Sequence, residues 1–212
     1  MKKIRLALLF LLFGVMPNLL HPSPAWAVSD VIHLRGQGAS AYFSSFDSSG
    51  CTATDVFVQF GEIATKNPPA QANDVLVATM FISQFDYCTG TQLLLASPAS
   101  DIVLSMQAAQ ISKKLDSAGL DATIEIFDYV SGQNINPEVH LTWTATNDPP
   151  NRNNSHFHFH GGNFILNSHS QSLSRSAQVA GSVTLNFMNL TPEATTGTLE
   201  SARSGETQIL HQ

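Results

Sequence analysis

The sequence predicts an all-β protein, an antiparallel β-sandwich or jelly roll. Apolar residues alternate with polar residues or stand in short blocks. Turn-forming residues separate these segments at intervals of roughly 8 to 20 residues, a spacing typical of antiparallel β folds. Only 12% of the residues are charged, about half the share usual in globular proteins. Such a low charge content disfavours both a coiled coil and a disordered chain.

The strand-like segments follow one another along most of the chain. They are residues 55–60, 75–85, 120–129, 139–144, 155–160, 164–168 and 179–187, with a last strand near 207–210. Two Pro-Pro loops, residues 66–74 and 147–154, interrupt the pattern because proline lacks a backbone donor. Neither loop is long enough for a domain linker, so residues 28–212 are expected to form a single β-sandwich domain.

One segment, residues 101–118, fits two kinds of element. Its apolar residues recur at helical spacing, and Gly119 stands where a helix would end. The segment therefore predicts either one short helix packed across an end of a sheet or a strand from Ala109 to Leu115. The neighbouring strands favour the strand.

Three similar turns begin with Phe-Asp and end with Gly, at residues 46–50, 85–90 and 127–132. In each turn the Asp side chain is expected to accept hydrogen bonds from the turn's own backbone, while Gly supplies a positive φ. One carboxylate per turn is too few for calcium, which takes several oxygen ligands. The three motifs therefore predict hairpin turns.

The N-terminus has the parts of a secretory signal peptide. Lys2, Lys3 and Arg5 precede an apolar stretch at residues 6–16, and Ala25-Trp26-Ala27 is a small-x-small cleavage site. The apolar stretch is shorter than the roughly 20 residues that span a bilayer. Cleavage after Ala27 would place the protein in the periplasm or outside the cell, with no later membrane anchor.

The acidic character of the chain limits the classes of partner that it is expected to bind. The formal net charge of −6 becomes −9 after cleavage, with 7 basic against 16 acidic residues, because the signal carries three basic residues and no acidic residue. Negative charge disfavours nucleic acid and anionic membranes as partners. The expected partner is an extracytoplasmic ligand or protein, whose identity the sequence does not give.

The two cysteines, Cys51 and Cys88, are expected to pair in an oxidising compartment. Each follows a Phe-Asp turn, so a disulfide would tie two turns at the same end of the sandwich. Closing a loop of roughly 38 residues stabilises the fold by about 4 kcal/mol in the chain-entropy description. A two-thiolate metal site is the alternative, which the lack of a Cys-x-x-Cys spacing disfavours.

Histidines are concentrated in one segment. Residues 155–162 read Ser-His-Phe-His-Phe-His-Gly-Gly, and His169 follows closely. Alternate side chains of a strand share a face, so His156, His158 and His160 line one face and the two phenylalanines line the other. The Gly-Gly pair predicts a hairpin, in which the strand that begins at residue 164 returns alongside.

Strand geometry decides which of these histidines can share a metal ion. Residues i and i+2 lie about 6.6 Å apart, whereas His156 and His160 lie about 13 Å apart, too far for one ion. The loop length decides the position of His169. A four-residue loop, 161–164, would place it directly across from His156, a two-residue loop one step further out on the same face, and a three-residue loop on the phenylalanine face.

The preferred ligand set is therefore His156, His158 and His169, with zinc or copper as the ion. His140, from the preceding strand, is the reserve ligand, and His160 remains a candidate. Two other interpretations stay open. Phe157 and Phe159 can face the core while the histidines simply face solvent, or the close imidazoles can form a proton-sensing patch.

The motif Phe157-His158-Phe159-His160-Gly161 resembles the strand that holds two zinc-ligand histidines in alpha-class carbonic anhydrases. The resemblance implies His158 and His160 as ligands. The chain lacks the downstream Glu-x-His strand of that family. The His-x-His pattern also resembles cupins, but residues 161–166 contain no acidic ligand. The activities of these families are therefore not carried over.

Three functions remain open at this stage. The first is an exported, non-enzymatic binding module with a metal site in the His hairpin. The second is a small zinc-dependent hydrolase or hydratase, in which zinc-bound water would be the nucleophile. The third is a structural or adhesive envelope protein with incidental histidines. The first is preferred, because the chain has neither a Gly-x-Ser-x-Gly elbow nor a His-Glu-x-x-His helix.

Overall fold

The structure is a computed structural model that describes residues 29–66, 73–161, 164–191 and 195–210. All regular elements in these residues are β-strands, so the predicted all-β class is confirmed. The strands are β1 (Ser29–Phe46), β2 (Thr52–Lys66), β3 (Asn73–Asp86), β4 (Thr91–Ser97), β5 (Ile102–Leu104), β6 (Ala109–Ile111), β7 (Ser117–Thr123), β8 (Ile126–Asp128), β9 (Gln133–Ile135), β10 (Glu138–Ala145), β11 (Asn151–Gly161), β12 (Phe164–Leu185), β13 (Met188–Asn189) and β14 (Thr195–Leu210).

The predicted signal peptide and its cleavage site lie outside the described residues. Within the described part of the chain, no helix is long and apolar enough to cross a membrane.

The strands join in one antiparallel sheet of 14 strands. Its order is β6-β7-β10-β12-β14-β1-β2-β3-β4-β8-β9, with β11 and β13 added along β12 and β5 along β3. The long strands β1, β2, β12 and β14 lie at the centre, and the short strands lie towards both edges. The predicted sandwich is therefore realised as one continuous sheet that covers its own inner face.

A contact between Trp143 and Phe60 shows how strongly the sheet curls. Trp143 lies on β10 and Phe60 on β2, four strand positions apart in the sheet order. Strands that far apart in a flat sheet would be separated by about 19 Å. The two rings instead pack edge to face with centroids 5.3 Å apart. The core inside the curl consists of alternate residues of the strands, for example Ala39, Phe43, Val58, Met80, Leu141 and Leu199.

Three predicted segments have different boundaries in the structure. Residues 120–129 form two strands, β7 and β8, because Ile124 leaves the ladder and its N–H bonds the carbonyl of Pro137 at 3.0 Å. Segments 164–168 and 179–187 belong to one 22-residue strand, β12. The Ser- and Gln-rich residues between them have no apolar alternation, although they pair continuously with β14.

The helix considered for residues 101–118 is wrong, and the strand alternative is right only for β6. The segment forms two short strands, β5 and β6, joined and followed by turns. Leu115 has φ 56°, a left-handed conformation that a right-handed helix excludes. Its side chain is fully buried in the core, so its apolar character reflects an anchored turn and not a helical face.

The predicted Phe-Asp turns are confirmed at all three positions. Asp47 accepts from the N–H groups of Cys51 and Thr52 at 3.0 and 3.1 Å, and Asp86 accepts from those of Cys88 and Thr89 at 2.8 and 3.1 Å. Asp128 likewise accepts hydrogen bonds from the N–H groups of Val130 and Ser131. The glycines that end the turns, Gly50, Gly90 and Gly132, have φ of 73°, 70° and 70°.

Part of the sheet extends beyond the core. We call it the outer ribbon, and it consists of β11 with residues 164–174 of β12, 200–210 of β14, 29–38 of β1 and 61–66 of β2. Residues 151–160 are all exposed. Among its described side chains, serine, asparagine, glutamine, histidine and arginine are frequent, together with exposed apolar side chains such as Phe157 and Phe159.

Candidate binding face on the outer ribbon

The strand register aligns histidines and arginines in two neighbouring rows across the outer ribbon. The histidine row consists of His156, His169, Gly205 and His33, on β11, β12, β14 and β1 in turn. The arginine row consists of Asn154, Gln171, Arg203 and Arg35 on the same strands, one pleat nearer the core. We call these two rows together the His–Arg face.

The His–Arg face is the continuation of the core-facing side of the sheet. On β1, His33 and Arg35 are separated by even numbers of residues from Ala39, which is buried in the core. The β1–β2 and β1–β14 ladders are regular throughout, so these side chains share a face. The inner surface of the curled sheet thus changes from apolar to cationic and hydrogen-bonding where it leaves the core.

His156 and His169 stand directly opposite each other. This is the register that the sequence associated with a loop at 161–164, although pairing continues to Gly161 and Phe164. Side chains of directly opposed residues have Cβ atoms about 4.5 to 5.5 Å apart on one face of the sheet. Two imidazoles at that separation can rotate onto one ion, since a zinc–nitrogen bond is about 2.0 to 2.1 Å long.

His158 is held by a neighbour across the hairpin. Its Nδ1 bonds the side-chain oxygen of Asn167, which lies opposite it on β12. In a neutral imidazole whose Nδ1 donates to this oxygen, Nε2 would be the atom that can bind a metal ion. An outer hydrogen bond of this type fixes the ring orientation of metal-binding histidines.

His33 is a member of the histidine row that the sequence did not reveal. It lies two strands from His169, and the residue between them is Gly205. A Cβ on Gly205 would lie 3.3 Å from Nδ1 of His33. The His33 ring therefore leans over the glycine, in the space that any larger residue would occupy.

The imidazole nitrogens are not gathered into one coordination sphere in this structure. In the described part of the chain, a set of three His, Cys, Asp or Glu donor atoms within 4.8 Å of one another occurs at Cys51, Asp86 and Cys88 only. The histidine row would reach one ion only after its side chains rotate. Cys51 and Cys88 provide no thiolate, because their sulfur atoms lie 1.99 Å apart, at disulfide-bonding distance.

The two other candidate histidines lie apart from the histidine row. His160 stands opposite Ile165, near the tip of the hairpin. His140 lies on the outer face of β10, opposite Ser182, and its Nδ1 lies 3.0 Å from Asp121. Ser182 is 13 residues along β12 from His169, roughly 40 Å at strand spacing. The structure therefore does not bring His140 to the hairpin.

Phe157 and Phe159 lie on the face of the ribbon opposite the His–Arg face. Their side chains are 55% and 48% exposed. The interpretation in which these phenylalanines face the core is wrong, because β11 pairs along the part of β12 that extends beyond the core.

The disulfide lies at the far end of the molecule from the histidines. Cys51 follows the β1–β2 turn, and Cys88 follows β3, with Cα atoms 5.3 Å apart.

A cleft of about 430 Å³ opens at this end, lined by polar side chains such as Thr54 and Gln84 and by apolar ones such as Leu93 and Met188. Local sequence patterns do not predict this cleft, because its walls come from five different strands, β1, β2, β3, β4 and β13.

The chain has little detectable similarity to known proteins. No protein family model matches the sequence, and no curated protein matches it. A comparison with solved structures matches the chain to the crystal structure of a Nitrosomonas europaea protein provisionally named AttH, with a TM-score of 0.24 and 10% identity. The match covers 86% of this chain and 52% of the other, so this chain spans about half the length of that protein. A TM-score this low supports no conclusion.

Proposed function

We propose that the protein is an exported, non-enzymatic binding module that holds a zinc or copper ion on its His–Arg face. The observation that supports the proposal most directly is the opposition of His156 and His169 on one face of the β11–β12 hairpin. The N-terminal signal pattern and the Cys51–Cys88 pairing support export, because both are typical of proteins of oxidising compartments.

The ligands of the ion would be His156 and His169, with a third imidazole from a neighbour. His158 follows His156 at i+2 on the same face, and its bond to Asn167 leaves Nε2 available. The ring of His33 lies over Gly205, which separates it from His169 in the histidine row. Imidazole suits both zinc and copper. Because the ligands must be neutral, binding is expected to weaken in acid.

A hydrolytic or hydration activity has less support from the site. Zinc-dependent chemistry of that type commonly uses a general base beside the metal-bound water. None of the eight residues of the His–Arg face is a carboxylate. The site therefore fits the capture of a ligand better than its conversion.

Metal titration of the untagged mature protein tests the proposal. Wild-type protein is expected to bind one Zn²⁺ or Cu²⁺ by isothermal titration calorimetry, and H156A/H169A to bind at least tenfold more weakly. H140A is the matched control, because it removes an exposed histidine from the other face of the sheet. Equal affinities of wild type and H156A/H169A would refute the metal site. If the metal-loaded protein hydrolyses activated esters or hydrates carbon dioxide, it is instead a zinc-dependent enzyme. If wild-type protein binds neither Zn²⁺ nor Cu²⁺, the structural or adhesive envelope function is the one that remains.

A further inference from the structure

We propose that Arg203 and Arg35 form an oxyanion site, which binds the sulfate or phosphate groups of a linear polyanion lying across the outer ribbon. The proposal concerns a second ligand chemistry on the His–Arg face and does not depend on the metal. Its basis is an unusual electrostatic arrangement in an otherwise acidic chain.

The two arginines stand directly opposite each other on β14 and β1. Their side chains project from the same face, where like charges in direct opposition destabilise a sheet. In the described residues neither guanidinium has a carboxylate within 4.0 Å. By contrast, Arg175 lies 2.5 Å from Asp116. The chain has 16 acidic and 10 basic residues, so an arginine pair without an acidic partner is not a consequence of composition.

The residues around the pair are hydrogen-bonding and not acidic. Gln171 stands next to Arg203, and Asn154 stands beyond it at the edge of the ribbon. Glu62 is the nearest acidic residue on this face by register among those whose side chains are described. It lies opposite Gln37, one pleat towards the core. Glu206 belongs to the opposite face, because it pairs with Ser168 and Ile32.

Arginine is well suited to bind an oxyanion at such a place. Each guanidinium presents its N–H donors in a planar fork that matches the oxygens of phosphate and sulfate. Arg152 extends the cationic surface on β11, three strands away from β1 and one pleat nearer the core. Because single exposed contacts are weak, a ligand with repeated anionic groups would gain most from this spacing.

The experiment measures binding of the mature protein to heparin, a sulfated polymer, and to inorganic polyphosphate, with EDTA present to remove metal. The test variant is R35Q/R203Q. The matched control is K113Q/K114Q, which removes the same charge from an exposed turn elsewhere. Wild type and control are expected to bind at least one polymer at 50 mM salt. R35Q/R203Q is expected to bind at least tenfold more weakly, with a shallower dependence on salt.

The outcomes distinguish the possible ligands. Loss of heparin binding alone identifies sulfate as the preferred group, and loss of polyphosphate binding alone identifies phosphate. Equal losses in both variants would reduce the effect to net charge and overturn the proposal, as would wild-type protein that binds neither polymer. If R35Q/R203Q does not fold, R35K/R203K keeps the charge and removes the forks. Binding of R35K/R203K equal to wild type then refutes the site.

Discussion

The indole Nε1 of Trp143 donates a 2.8 Å hydrogen bond to the backbone carbonyl of Ser40. Trp143 lies on β10 and Ser40 on β1, three positions apart in the sheet order. The bond therefore closes the curl of the sheet from within, together with the packing of the same ring against Phe60. Trp143 is fully buried, as expected for a core residue.

Replacement of Trp143 by Phe is expected to destabilise the protein by about 1 to 3 kcal/mol, because the Ser40 carbonyl would lose its buried partner. Chemical denaturation measures the effect through the midpoint and the free energy of unfolding. An unchanged midpoint in W143F would show that the bond does not contribute to closure of the sheet.

Gly197 lies beneath this bond and is expected to tolerate no side chain. A Cβ there would lie 2.2 Å from the Ser40 carbonyl oxygen and 2.8 Å from Nε1 of Trp143. The G197A variant should therefore lose most of its soluble yield or melt at a much lower temperature. G36A is the control, since its Cβ would meet Glu62 at an ordinary 3.6 Å. Similar melting temperatures of the two variants would contradict the prediction.

Asp128 is expected to make the protein sensitive to acid. Its side chain is 4% exposed. Burial raises the pKa of Asp128, but hydrogen bonds from Ser131, Val130 and Leu95 outweigh it and hold this pKa below its usual value. A lowered folded-state pKa stabilises the protein above the ordinary carboxyl pKa, and the contribution disappears as pH falls through the lowered value.

The D128N variant tests this assignment. It should lose about 2 kcal/mol at neutral pH, the scale of hydrogen bonds to a charged acceptor, and vary less with acid below about pH 4. D101N, at an exposed position, is the control and should behave as wild type. If D128N and wild type unfold over the same acid pH range, as measured by circular dichroism, Asp128 does not cause the sensitivity to acid.

Glu200 should have the opposite dependence on pH. It is half-buried on the other face of the ribbon, and burial raises its pKa. A raised folded-state pKa of an acid favours the folded protein at low pH, and this contribution is lost as pH rises above the ordinary carboxyl pKa. The E200Q variant is therefore expected to be more stable than wild type at pH 7. Melting curves at pH 4 and pH 7 measure the difference, and a destabilised E200Q at pH 7 would contradict it.

Asn167 is expected to support metal binding without contacting the ion. Its side chain accepts the bond from Nδ1 of His158, and loss of such an outer partner typically reduces metal affinity by about 10- to 100-fold. The N167A variant should therefore bind Zn²⁺ more weakly at an unchanged melting temperature. N134A is the control, because Asn134 bonds Glu125 at the far edge of the sheet. Equal zinc affinities of N167A and N134A would show that the bond between Asn167 and His158 does not contribute to metal binding.

Local sequence patterns determined much of this protein. Alternation of apolar residues identified most strands, Asp and Gly identified the three turns, and Gly161-Gly162 identified the hairpin that places His156 and His169 on one face. These features depend on residues close in sequence, where side-chain period and turn chemistry act directly. The same reasoning failed at Leu115, because a buried turn residue has no periodic signature.

Only the tertiary structure decided which distant strands became neighbours. It brought β14 between β12 and β1, and so placed His33 in the row of His169 and Arg35 opposite Arg203. It also placed His140 away from the site, opposite Ser182. The order of strands in a sheet depends on how whole faces pack around a common core. In this protein that includes the closure of the sheet between Trp143, Phe60 and Ser40, which no single segment encodes.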